Sequence, residues 1–181
     1  NRGSHSMVDA LIGTAATVQR LALLDLARGR NGVIGIIQAF PGVLELLPQA
    51  VEERWFERAT WDRLHANWKL AAQPAPGLLS RAAAVLGALP LSLPHAERVL
   101  YVAGTAPQTI TGIELVEGQV VQRTTSEGDG SVTYASGRLP GVATWFMDVE
   151  HGALAAHQPG FAALADLLDS GTTTRLPTAP P

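Results

Sequence analysis

The chain has 181 residues, of which 46% are hydrophobic and 16% charged, a composition that suits one domain with a buried core and argues against a disordered chain. The net charge of −3 argues against nucleic acid as a partner, and the absence of cysteine excludes disulfides, thiolate zinc sites and cysteine nucleophiles. A reducing, cytoplasmic location is therefore the default expectation. No apolar run reaches the roughly 18 residues that a membrane span requires, so we expect no transmembrane segment.

The N-terminal part of the chain is predicted to hold one strand followed by a long helical segment. Residues 1–7, NRGSHSM, resemble the remnant of an expression tag and are excluded from the fold prediction. Residues 8–14, VDALIGT, form a short apolar run ending in Gly-Thr, which predicts a buried strand near 9–13. From residue 18 to residue 89 the apolar spacing is mostly helical and is divided by prolines, which favours an inserted helical cap.

The C-terminal part predicts two more buried strands, near 98–103 and 142–148, and a hairpin near 112–124 that turns at Glu117-Gly118. A helix over 161–168 and a Pro/Thr-rich tail over 171–181 follow. Strands that are almost continuously apolar and separated by helices predict an α/β fold with a parallel sheet. So few strands make only part of a sheet, and its unpaired apolar edge predicts self-association or a complementary chain.

An acid between two glycines and a histidine after the last strand are candidate catalytic residues. Asp129 follows a β segment in the sequence EGDGSV, and His151 lies two residues beyond the apolar run 142–149. Because functional groups gather at the carboxyl ends of strands in open α/β sheets, both are expected at the same rim. There a carboxylate can bind the Nδ1–H of an imidazole and leave Nε2 to accept a nucleophile's proton. Alternatively, GDG is only a turn and His151 only a satisfied polar residue.

Four aromatic side chains at helix-like spacing are candidate substrate contacts. Trp55, Phe56, Trp61 and Trp68 fall within residues 51–70 and could line an acyl-chain site under the cap. The alternative is that these rings simply pack the core. The sequence has no His-x-x-x-His pair and no cluster of histidines and carboxylates at ligand spacing, so neither a metal nor another cofactor is expected.

Several motifs in one order resemble the C-terminal half of an α/β-hydrolase, specifically the lecithin:cholesterol acyltransferase-like lipases and acyltransferases. The matching stretches are LIGT, FPGVLELLP, VLYVAGT, GDGSV and EHGAL, and they extend from about residue 11 to residue 168. The resemblance implies a partial α/β-hydrolase-like parallel sheet over residues 8–170, with cap helices over about 18–89. It also implies that Asp129 and His151 are the acid and base of a Ser-His-Asp triad, and that the substrate is an acyl ester or a lipid-like ester.

One departure from this family affects the expected activity. None of the eight serines lies in a G-x-S-x-G nucleophile elbow, and the oxyanion-hole loop is missing as well. Two hypotheses follow. The chain is a portion of a serine ester or lipid acyl hydrolase or acyltransferase that supplies the acid, the base and the cap. Alternatively, it is a non-catalytic α/β-hydrolase-derived interaction or accessory module of a larger protein.

Overall fold

The computed structural model describes residues 2–25, 27–49, 53–68, 73–90 and 92–180. They form two compact units. The sheet unit comprises Pro90–Thr111 and Arg123–Pro181, and the helical unit comprises Arg2–Leu89 and Gly112–Gln122. With 47% of residues in helices, 15% in strands and a small parallel sheet, the fold is mixed and compatible with the α/β class, but it does not establish a hydrolase fold.

The described residues form eight α-helices, four strands and three 3₁₀ helices. The α-helices are α1 (His5–Leu11), α2 (Ala16–Leu24), α3 (Gly29–Gln38), α4 (Pro41–Leu44), α5 (Arg58–Trp68), α6 (Pro76–Ala88), α7 (Tyr134–Gly137) and α8 (Phe161–Ser170). The strands are β1 (Leu100–Gly104), β2 (Thr109–Val116), β3 (Gln119–Thr125) and β4 (Ala143–Met147). The 3₁₀ helices are Ala96–Arg98, His151–Ala156 and Gln158–Gly160.

The parallel pairing predicted for the two C-terminal apolar runs is confirmed. Strands β1 and β4 pair in parallel, with Ala103 opposite Phe146, and β2 and β3 form the predicted hairpin. On one face of the pair, Ala103 and Phe146 are buried with Tyr134 of α7, whose ring meets the Phe146 ring edge-on at 5.0 Å. At the outer side of β4, the Phe146 N–H donates to the Pro177 carbonyl oxygen at 2.9 Å, so the C-terminal tail runs beside this strand.

The prediction of a strand near residues 9–13 is wrong, because the segment lies in helix α1 up to Leu11 and in the turn that follows it. Val8, Leu11 and Ile12 are all buried, and their spacing of three and four residues places them on one helical face. Ser4 caps the helix by accepting the Ser6 N–H on its side-chain oxygen at 3.1 Å. A short apolar run fits a buried strand and a buried helix equally well, which explains the error.

Residues 2–7, interpreted from sequence as part of a tag remnant, belong to the helical unit and contact other segments of it. The Ser4 N–H donates to the Leu46 carbonyl oxygen at 2.8 Å, and His5 Nε2 lies 2.6 Å from Glu53 Oε2. Neither contact reveals the origin of this segment, so the tag interpretation stays a prediction.

One stretch among the described residues, His5–Leu24, has the length and composition of a membrane span, although no such span was predicted from the apolar runs of the sequence. The chain turns at Gly13, with φ of +78°, and the turn divides the stretch into α1 and α2. The core helix of a soluble protein and a signal sequence meet the same criterion. The stretch is therefore weak evidence for a membrane location.

Candidate acid–base site

Asp129 is fixed by the turn that it opens. Its Oδ1 accepts the backbone N–H groups of Ser131 at 3.0 Å and Val132 at 2.7 Å. Its own N–H donates to the Val132 carbonyl oxygen at 3.1 Å. An aspartate that bonds the backbone two and three residues ahead is well suited to a turn, and only 4% of Asp129 remains exposed. The carboxylate is therefore held in one orientation inside the sheet unit.

His151 binds the carboxylate of Asp129 through its imidazole and the main-chain carbonyl oxygen of Asp129 through its backbone N–H. Its Nδ1 lies 2.8 Å from Asp129 Oδ2, and its backbone N–H donates to the Asp129 carbonyl oxygen at 2.8 Å. An ionised carboxylate only accepts hydrogen bonds, so Nδ1 carries the proton. The imidazole is 48% exposed, and Nε2 has no hydrogen-bond partner among the described residues. The contact expected from the sequence is present, and it is made by an imidazole that is about half exposed.

The pair lies at the carboxyl ends of β1 and β4, where the sequence placed it. A Cβ added at Gly104, the last residue of β1, would lie 3.1 Å from the Asp129 Cβ and would collide with the Val149 carbonyl oxygen. Immediately beyond β1, the Thr105 N–H donates to the same Val149 oxygen at 3.0 Å. The Thr105 hydroxyl donates to Asp148 Oδ1 at 3.0 Å. These bonds tie together the two strand ends from which the pair projects.

Two tyrosines give Asp129 a buried and uncharged neighbourhood. Burial raises the pKa of the Tyr101 phenol, and the charge of Asp129 and the nearby Tyr134 raise it further. Burial also raises the pKa of Tyr134, with further contributions from the charges of Asp129 and Glu127. Both phenols therefore stay neutral near pH 7, and Tyr134 donates to the Gly104 carbonyl oxygen at 3.2 Å.

The aromatic residues proposed to bind an acyl chain are mostly packed inside the helical unit. Trp55 is 3% and Trp61 0% exposed, with ring centroids 5.9 Å apart. Their indole N–H groups donate to Glu53 Oε2 at 2.6 Å and to the Trp55 carbonyl oxygen at 2.8 Å, respectively. Phe56 is half-buried, and the side chain of Trp68 lies outside the described part of the chain. This packing favours the core alternative, and substrate binding by these residues stays an untested prediction.

The glycines near the site differ in how closely other atoms pack around them. Gly152, which follows His151 in the sequence, is open, because a Cβ added there would meet no atom within 4 Å. Gly104 and Gly128 are close-packed, because a Cβ added at either would lie within 2.5 Å of another atom. The position of Gly104 at the end of an apolar run was the signal that could have identified it. Thr109, which contacts the Asp129 loop, was also missed. No local sequence pattern marks it.

A separate cavity of about 280 Å³ opens near the same strand ends. Thr105, Asp148 and His157 are among its lining residues, whereas Asp129 and His151 are not. Among the described residues, no group of three or more His, Asp and Glu side chains could hold a metal ion.

A buried carboxylate that binds a partly exposed imidazole is a carboxylate–imidazole dyad, a type of site used for general acid–base catalysis. No family model, curated protein or solved structure matches the chain. The resemblance to the lipases and acyltransferases therefore stays a prediction that depends on the quoted motifs.

Proposed function

We propose that the chain supplies the base and its acidic partner to a serine ester or lipid acyl hydrolase or acyltransferase. The observation that carries the proposal is the 2.8 Å hydrogen bond between His151 Nδ1 and Asp129 Oδ2. The acid is 4% exposed and the imidazole side chain 48% exposed, so the carboxylate lies behind a base that solvent can reach. In this arrangement Nε2 can accept the proton of an incoming hydroxyl group.

The proposed chemistry is acyl transfer from an ester. Nε2 of His151 takes the proton of a serine hydroxyl as its oxygen attacks the carbonyl carbon, and Asp129 stabilises the imidazolium that forms. The same Nε2–H then protonates the leaving alcohol oxygen as the C–O bond breaks. The preference for an acyl ester or lipid-like ester comes from the family resemblance.

The serine is expected to come from another segment, because this sequence contains no G-x-S-x-G. The chain alone should not turn over esters, since nucleophile, base and acid act as a unit. Hydrolysis of p-nitrophenyl butyrate would be measured for this chain and for a longer form that includes an upstream segment with the elbow serine. We expect turnover only in the longer form.

His151→Ala should lower kcat of the longer form by about 10⁴-fold or more. His157→Ala is the matched control, because His157 lies in the same unit and its side chain has no hydrogen bond to a carboxylate among the described residues. Turnover by the chain alone that survives His151→Ala would contradict the proposal. So would equal effects of the two substitutions in the longer form.

The surface of α2 favours the second candidate, an interaction or accessory module that associates with a second copy of itself. Leu21, Leu23 and Leu24 are 45%, 74% and 83% exposed. Leu21 and Leu24 also border, with Ile36 of α3, an apolar cleft of about 650 Å³. Exposed apolar surface of this kind promotes association. Light scattering should give a dimer mass for the chain and a monomer mass for Leu24→Glu, and a monomer in both cases would remove this candidate.

A further inference from the structure

Thr109, the first residue of β2, lies beneath the loop that carries Asp129. It is 0% exposed, and its Oγ1 accepts the Gly130 N–H at 2.9 Å. On the other side of the acid, a Cβ added at Gly128 would lie 2.5 Å from the same Oγ1. The two glycines that flank Asp129 therefore close around one buried hydroxyl group. We propose that Thr109 is a positioning residue, whose hydroxyl group directs the Asp129 carboxylate towards His151 Nδ1.

The peptide group between Asp129 and Gly130 carries this argument. Its N–H donates to Thr109 Oγ1 at 2.9 Å, and its carbonyl oxygen accepts the His151 backbone N–H at 2.8 Å. One peptide plane is thus held at both ends, by Thr109 on one side and by His151 on the other. Rotation of this plane would move the Asp129 side chain together with the carbonyl oxygen that accepts the His151 backbone N–H. The threonine hydroxyl resists that rotation because it is the acceptor for the plane's only N–H.

The backbone at Gly130 makes the hydroxyl necessary. Gly130 adopts φ of +92°, a conformation that leaves its N–H directed at Thr109 and that side-chain-bearing residues rarely adopt. Leaving a partly buried N–H without an acceptor costs free energy, so without the hydroxyl group the peptide plane should rotate until the Gly130 N–H meets another acceptor. The role of Thr109 in catalysis rests on the proposed function, whereas its effect on the geometry of the dyad does not.

The test is the protonation pattern of the His151 imidazole, read from long-range ¹H–¹⁵N NMR spectra of the labelled chain. The unmodified chain should show the Nδ1–H tautomer. Thr109→Val keeps the shape but removes the acceptor, and should cause a loss of the Nδ1–H form with the Nε2–H form appearing beside it. Thr109→Ser keeps the hydroxyl and should retain the original spectrum. Thr111→Val is the matched control, because Thr111 lies two residues along the same strand and has no side-chain hydrogen bond in the described structure.

An unchanged His151 spectrum in Thr109→Val would overturn the proposal, as would equal losses in Thr109→Val and Thr109→Ser. If Thr109→Val does not fold by circular dichroism, the Gly130 amide exchange rate in the unmodified chain decides instead. Slow exchange would support the bond to Thr109, and exchange at the rate of an unprotected amide would refute it. A tautomer that depends on Thr109, in a longer form without esterase activity, would refute the proposed function but leave this inference standing.

Discussion

Replacing Asp129 by asparagine tests whether the buried carboxylate sets the tautomer of His151. Oδ1 accepts two backbone N–H groups at 3.0 and 2.7 Å, and Oδ2 accepts one bond from His151 Nδ1 at 2.8 Å. Asparagine offers one carbonyl oxygen and one NH₂ group, so it can satisfy only one of these two sides. The side with two donors should keep the oxygen, which turns the NH₂ group towards Nδ1. Nδ1 must then become an acceptor, and the imidazole proton moves to Nε2.

The expected loss of stability in Asp129→Asn follows from the three hydrogen bonds that lose their charged acceptor. A hydrogen bond to a charged group contributes about 1.5–3 kcal/mol and a neutral one about 0.5–1.5 kcal/mol, so the two backbone bonds together lose about 2 kcal/mol. The bond to the half-exposed imidazole adds less than about 1 kcal/mol, because solvent screens it. We therefore expect Asp129→Asn to lower the free energy of unfolding by about 2–3 kcal/mol. In a catalytically complete form, the wrong tautomer should lower kcat by about 10⁴-fold.

Two measurements check this result, urea denaturation for stability and imidazole ¹⁵N NMR for the tautomer. Asp148→Asn is the matched control, because Asp148 is exposed and its one observed hydrogen bond comes from the Thr105 hydroxyl at 3.0 Å. The control should change stability by less than about 0.5 kcal/mol and leave the His151 spectrum as it is. A spectrum of Asp129→Asn that still shows the Nδ1–H form would refute the reasoning.

The aromatic core, a close-packed glycine and the partly buried pair of Glu53 and His5 each give a further prediction. Trp61 is 0% exposed, and Trp61→Ala should lower the free energy of unfolding, measured in urea, by about 3–5 kcal/mol. Phe40 is 58% exposed, and Phe40→Ala should lower it by less than about 0.5 kcal/mol. Equal effects of the two substitutions would contradict a core role for Trp61. Gly104→Ala should abolish the Nδ1–H signal of the dyad, and Gly152→Ala, with no atom within 4 Å, should leave it intact. Burial raises the pKa of Glu53, but the hydrogen bonds from His5 and Trp55 outweigh burial and hold that pKa below its ordinary value of 4.5. The ionised Glu53 carboxylate therefore stabilises the fold above pH 4.5, and this stabilisation is lost as the pH falls through the pKa of the folded state. The stability difference between the chain and Glu53→Gln should accordingly be largest near neutral pH and disappear in acid, and a difference independent of pH would refute this assignment.

The sequence predicted those parts of the fold whose pattern had only one good solution. The run that became β4 is almost continuously apolar and rich in aromatic residues, and it lies between turn residues, which favours a buried parallel strand. The contact between Asp129 and His151 was expected because the carboxyl ends of parallel strands meet at one rim. Asp129 follows β3 of the hairpin, however, and it reaches this rim because its loop lies against Gly104 at the end of β1. The strand predicted within residues 8–14 was wrong for the opposite reason. The pattern there has two solutions, because Val8, Leu11 and Ile12 fit one face of a helix as well as a buried strand.

The environment of the candidate site was harder to predict, because it depends on contacts between distant segments. Thr109 bonds to a residue 21 positions away, and nothing in its neighbouring sequence distinguishes it from an exposed strand threonine. Trp55 and Trp61 have a spacing that fits a lipid-binding helix and a packed core equally. Only the burial of both rings favours the core.

The bond between Phe146 and Pro177 bears on the solubility of the protein. A two-stranded sheet leaves both outer edges available to strands from other molecules, which is how ordered aggregates begin. The tail occupies the outer edge of β4 at Phe146, whose N–H donates to the Pro177 carbonyl oxygen and is therefore withheld from a strand of another molecule. Removal of the tail would expose this donor, so a chain shortened before residue 177 should aggregate through β4 more readily than the full chain.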